Sequence, residues 1–140
     1  MNKQEISKRC LEERERLLQK HIECLPTESA LLLPEIGTII EKLEDEYKQF
    51  LTTLWTQVRP NDEKRSLEDI LDKRYNRYIL NREYAKDIRV SQAAAEEITL
   101  WEQITNTNSQ DIEHLNALVT AYAKDLLAHI TLDFMEDINA

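Results

Sequence analysis

Asp111 and His114 stand three positions apart, as do Glu41 and Glu44, and these are the spacings in the chain that come nearest to catalytic machinery. A carboxylate and an imidazole at i and i+3 share one helix face. They supply part of a dinuclear metal site, which also needs a second such motif and two further acids. The chain has the D-x-x-H pattern once, and His21 and His129 do not repeat it. All three histidines are therefore read as structural or surface residues, with no metal expected. Glu41 and Glu44 would hold Mg²⁺ against phosphates if an E-x-x-D pair on another helix answered them, as in an all-helical nucleotide hydrolase. Glu68 with Asp72 and Glu83 with Asp87 are four apart, and Asp133 with Glu136 has the reverse order, so this alternative lacks its second half.

Nucleophilic chemistry has less support. Cys10 and Cys24 lie at or beside an apolar stripe, where a free cysteine behaves as a small hydrophobe. Fourteen residues on one helix span about 21 Å, beyond disulfide reach. Two free thiols are expected, which suits a reducing cytoplasmic setting. A single glycine in 140 residues leaves nothing for a phosphate-cradling loop or a nucleophile elbow. The chain is read as a non-enzyme without cofactors.

Binding is better supported than chemistry, and residues 74–89 carry it. Aromatic and positive side chains interleave there: Arg74, Tyr75, Arg77, Tyr78, Arg82 and Tyr84. Arginine and tyrosine are the types enriched at protein contacts, because each joins a large contact area to directional hydrogen bonds. The same stretch, with Lys73, Lys86 and Arg89, offers a basic stripe for a nucleic acid. Asp69, Asp72, Glu83 and Asp87 are interspersed, however, and pair locally at i+3 and i+4, so nucleic acid is the lesser reading. The alternative structural role for the tyrosines is to close the core of a monomer with their hydroxyls in water.

Charge is unevenly spread along a chain of net charge −9. Residues 59–89 hold nine of the eighteen basic side chains, whereas residues 90–140 hold nine acids and one base, Lys124. Such an acidic surface repels nucleic acid and anionic membranes and attracts basic partners. It also admits a further alternative, an acidic mimic of nucleic acid, if the carboxylates of 96–137 fall at phosphate-like spacing.

The elements positioning these residues are helices. One glycine, three prolines and a dominance of Glu, Leu, Lys, Ala, Gln and Arg exclude turn-rich sheet architectures. The length suits one domain, residues 1–140. The first helix is expected over 3–25, with a stripe of Ile6, Cys10, Leu17, Leu18, Ile22 and Leu25 and a heptad line of Leu11, Leu18 and Leu25. Pro26 stops it, and Leu31, Leu32 and Leu33 are expected to plug one end of the fold. The second, over 34–58, shows Ile36, Ile40, Leu43, Tyr47, Phe50, Leu54 and Val58, widened by Ile39, Leu51 and Trp55. Gly37 within it suggests close approach of a neighbouring helix. The third runs over 67–105, continuous or broken at Ser91, with Trp101 anchoring its end. The fourth, over 110–137, follows a cap at Asn108 or Ser109 and carries Ile112, Leu115, Val119, Tyr122, Leu126, Ile130 and Phe134, with an acidic opposite side. The pattern predicts an all-α antiparallel four-helix bundle with an over-long third helix, continuous or kinked near 89–91. No apolar run approaches the length of a membrane span and the N-terminus has no signal-peptide core. The function that fits is a small acidic adaptor, regulator or inhibitor that binds another protein through a helix face and forms a homodimer.

Overall fold

The computed structural model of the chain describes residues 1–59, 92–108 and 110–139. All regular structure among the described residues is helical: α1 (Lys3–His21), α2 (Leu33–Val58), α3 (Gln92–Asn106) and α4 (Ile112–Asn139). The fold class is all-α and compatible with a helical bundle. Continuity of the chain through 89–91 lies outside the described residues.

Three of the helices, α1, α2 and α4, start where a side chain satisfies a backbone donor that has no partner in the first turn. Asn2 caps α1, its side-chain oxygen accepting from the Glu5 amide at 2.8 Å. In α2 the Glu35 carboxylate reaches back to the Leu32 amide at 3.4 Å, and Pro34 sits in the first turn, where its missing N–H costs nothing. Asp111, rather than Asn108, caps α4, accepting from the His114 amide at 3.2 Å. Asn108 instead closes the preceding turn, its side chain accepting from the Gln110 amide. Ser109 lies outside the described residues.

Helix α1 ends at His21, one turn earlier than the periodicity predicts. Pro26 disfavours helical geometry at Leu25, and the chain tightens through a turn in which the Glu23 amide bonds to the Leu18 carbonyl and the Leu25 amide to the Ile22 carbonyl. The Pro26 carbonyl then accepts from Asn116 at 2.8 Å, tying this loop to the start of α4.

Helix α4 is the central element, packed against α1, α2 and α3. It buries Leu115, Leu118, Val119, Tyr122, Ala123, Leu126, Leu127, Ile130, Phe134 and Ile138, which is two adjoining stripes rather than one. Helix α2 contributes Ile36, Ile40, Leu43, Tyr47, Leu51, Leu54 and Trp55, with Phe50, Ile39 and Val58 at the rim. Helix α1 adds Ile6, Cys10 and Leu17. Helix α3 lies against α4, where Ile104 is buried and Trp101 tilts against Tyr122 at 5.3 Å.

Three local expectations are corrected. Leu31 packs against the core as expected, but Leu32 is 66% exposed and Leu33 is exposed too, because they form the start of α2 at the edge of the fold. Gly37 marks no close approach, since a Cβ placed there would meet nothing within 4 Å. The side of α4 expected to be acidic and wet is partly interior: His129, Asp133 and Asp137 are buried.

Candidate functional site

The residues expected to form a protein contact, Arg74, Tyr75, Arg77, Tyr78, Arg82 and Tyr84, lie outside the described residues. The candidate chemistry of the sequence, by contrast, falls almost wholly within them. Asp111 and His114 are a helix cap: the carboxylate meets the backbone N–H of His114, and both side chains are exposed. Glu41 is exposed, and Glu44 lies 3.6 Å from Lys48, one turn along its own helix. Among the described residues no group of three or more histidine, cysteine, aspartate or glutamate side chains converges as a metal site would require.

An ion-pair network joins α1 and α2. Glu46 on α2 accepts from Lys20 Nζ at 2.8 Å, with Arg16 Nη2 at 4.0 Å and His21 Nε2 3.2 Å away. At the other end of the same pair of helices, Arg9 donates to Gln57 at 2.8 Å. The hydrogen bond from Lys20 is the main cause that holds the Glu46 carboxyl below the usual glutamate range. On acidification the unfolded chain, with glutamate near 4.3, therefore takes up this proton before the folded one does. The contribution to stability is complete above that value and disappears as pH falls through the lower folded value. Solvent screens the pair, so its size is at most about 1 kcal/mol. Acid titrations of wild type and Glu46→Gln, followed by urea unfolding, should converge below about pH 3 and separate above about pH 5. Parallel curves throughout would show the network to be idle.

Deeper between the helices lies a directed chain of hydrogen bonds. Thr131 Oγ1 donates to the Leu127 carbonyl at 2.7 Å, so its contact with Tyr47 Oη at 2.6 Å has the tyrosine as donor. The Cys10 thiol of α1 lies beside the same hydroxyl, so groups from three helices meet here, each of them buried. Burial pushes the Cys10 thiol up and the Tyr47 hydroxyl higher still above its ordinary value. A thiol that is neutral and wholly enclosed is a poor nucleophile. The hydroxyl pair ties α2 to α4, with Cys10 of α1 packed beside it.

Farther along α4, His129, Asp133 and Asp137 recur at four-residue intervals and form one buried polar stripe. Each has interaction partners, as buried carboxylates must. Near its end Arg59 donates to the Ile138 carbonyl and lies 5.9 Å over the Trp55 ring. The withdrawal of Asp133 and Asp137 from the surface removes two carboxylates from any imitation of a phosphate backbone.

The surface feature that sequence reasoning missed is a groove of about 360 Å³ between α1 and α4. Leu11, Arg14, Glu15 and Leu18 line one side, and Lys124, Asp125, Leu127 and Ala128 line the other. Leu11 is 47% exposed, and Leu132, one turn beyond Ala128 on the same face of α4, is 54% exposed. Arg14 Nε is buried and makes no hydrogen bond. The available signals were the heptad line through Leu11 and Leu18, which runs beside the buried Cys10–Leu17 line, and the isolation of Lys124 among acids.

No protein-family model, curated protein or solved structure matches the chain. No helix among the described residues is long and apolar enough to cross a membrane.

Proposed function

We propose that the chain is a small acidic interaction protein without chemistry of its own, an adaptor, regulator or inhibitor that acts by holding another protein and that also pairs with a second copy of itself. The observation that carries this reading is apolar surface left outside a finished core. Tyr47, Leu126, Ile130 and Phe134 are wholly enclosed, yet Leu11 and Leu132 stand out from the α1–α4 face beside a groove with aliphatic walls.

The architecture that goes with this function is an antiparallel four-helix bundle with an over-long third helix. The pairing of Arg9 with Gln57 and of Lys20 with Glu46 supports opposed directions for α1 and α2. The partner face assigned to the bundle is Arg74, Tyr75, Arg77, Tyr78, Arg82 and Tyr84, on the strength of residue type and the change of charge along the chain. A cytoplasmic setting suits the free, exposed Cys24. The test is affinity capture from native cytoplasm with wild type and a Tyr78→Ala, Arg82→Glu double variant of equal helicity. A specific partner retained by wild type and lost by the variant is the expected result. Equal capture by both removes the contact from that face.

A further inference from the structure

We infer that the α1–α4 face is a self-association surface that takes a second copy of this chain across a two-fold axis lying along the groove. This deepens the self-pairing part of the proposed function and is independent of the partner face at 74–84.

Charge is the first argument. The protein as a whole carries −9, so two copies repel one another over most orientations. The rim of the groove differs, since Arg14 and Lys124 balance Glu15 and Asp125. Lys124 is the sole basic residue of the last third of the chain, and it stands here. A locally neutral patch carrying both signs is where a like-charged copy is able to approach.

The arrangement of those signs is the second argument. A two-fold axis parallel to the helices and running along the groove exchanges its two walls. It sets α1 of one copy over α4 of the other, within about a turn in register. Each wall holds one cation and one anion at adjacent positions: Arg14 and Glu15 on α1, Lys124 and Asp125 on α4. Under that symmetry the exposed Glu15 comes opposite the second copy's exposed Lys124. The projecting Leu11 meets the wall containing the small Ala128, so a large side chain enters a shallow site. An isologous contact of this kind occurs twice, doubling each favourable pair.

Area is the third. Helix α1 is 19 residues long, or about 28 Å, and two adjacent helices present a face about 20 Å wide. The footprint is roughly 550 Å² on each copy, near the lower end of what specific interfaces bury. The dimer expected is therefore weak and concentration-dependent.

Sedimentation of the intact protein from about 10 µM to about 1 mM tests the assignment. Wild type should pass from monomer to dimer within that range. Leu11→Glu with Leu132→Glu alters only exposed side chains, and should raise the dissociation constant at least about ten-fold at unchanged helicity. Lys124→Glu alone and Glu15→Lys alone should each raise it by about ten-fold, and the two combined should restore it to within about three-fold of wild type. The Tyr78→Ala, Arg82→Glu variant should dimerise as wild type does, whatever its capture of another protein. A chain that stays monomeric throughout overturns the inference, as does a dimer insensitive to the leucine substitutions. So does a charge exchange that fails to restore association, or a dimer lost with the 74–84 variant.

Discussion

Replacement of Tyr47 by alanine is expected to lower the free energy of unfolding by about 3–5 kcal/mol, and replacement by phenylalanine by about 1–3 kcal/mol. The ring is wholly enclosed and stacks beside Phe50 with centroids 6.0 Å apart, so truncation leaves a cavity that three helices line. The phenylalanine variant keeps the ring and removes one oxygen. Thr131 still donates to the Leu127 carbonyl, but its oxygen loses the donor that faced it. Domains of this size have roughly 5–15 kcal/mol of stability in all, so the alanine variant should be largely unfolded at modest urea. Urea titration followed by circular dichroism reads both values. A Tyr47→Phe protein as stable as wild type would show that the hydroxyl chain contributes no net stability and that the register of α1, α2 and α4 rests on shape alone.

Phe134→Ala is expected to cost a similar amount, about 3–5 kcal/mol, with a spectroscopic signature of its own. Phe134 is fully buried and meets Trp55 edge to face at 6.0 Å, with an interplanar angle of 69°. Removing that ring opens the wall of the indole site from the α4 side. Emission of Trp55 should move to longer wavelength in the folded variant, before any unfolding. The measurement is made in a Trp101→Phe background, because Trp101 packs half-exposed against Tyr122 elsewhere in the fold. Unchanged emission together with wild-type stability would place Phe134 outside the core.

The α2 stripe illustrates how much of the core is readable from residue order. Ile36, Ile40, Leu43, Tyr47 and Leu54 recur at three- and four-residue steps, and all five are buried. Leu51 and Trp55, read as a flank, are also buried, while Phe50 and Val58, read as the stripe, lie at the rim. The difference is a rotation of the helix by part of a turn. Periodicity defines an apolar arc, but the orientation of its centre depends on how the neighbouring helices divide it. The same holds for Leu11 against Cys10: adjacent positions at the edge of one arc, of which the neighbours enclose the cysteine and leave the leucine out.

The contact face proposed at 74–84 rests on composition alone, since arginine and tyrosine in that pattern suit a subunit contact and a solvated monomer surface alike. His114 was legible as a bland residue and proves to be part of a cap. Asp133 was not legible at all. Carboxylates in a chain with 27 acids are ordinarily solvated, and no local pattern distinguishes one that is enclosed.

Residue order alone determined that this chain is helical and where α2 runs. Those properties follow from propensity, capping and the 3.6-residue period, which act over a few neighbouring positions. Tertiary structure decided that α4 is the middle of the molecule, that His129, Asp133 and Asp137 turn inward, and that Leu11, Leu132, Arg14 and Lys124 share one groove. Burial is set jointly by every helix that packs against a face. Two stripes on α4 were needed because three helices rest on it, and only their assembly shows which apolar residues are left outside.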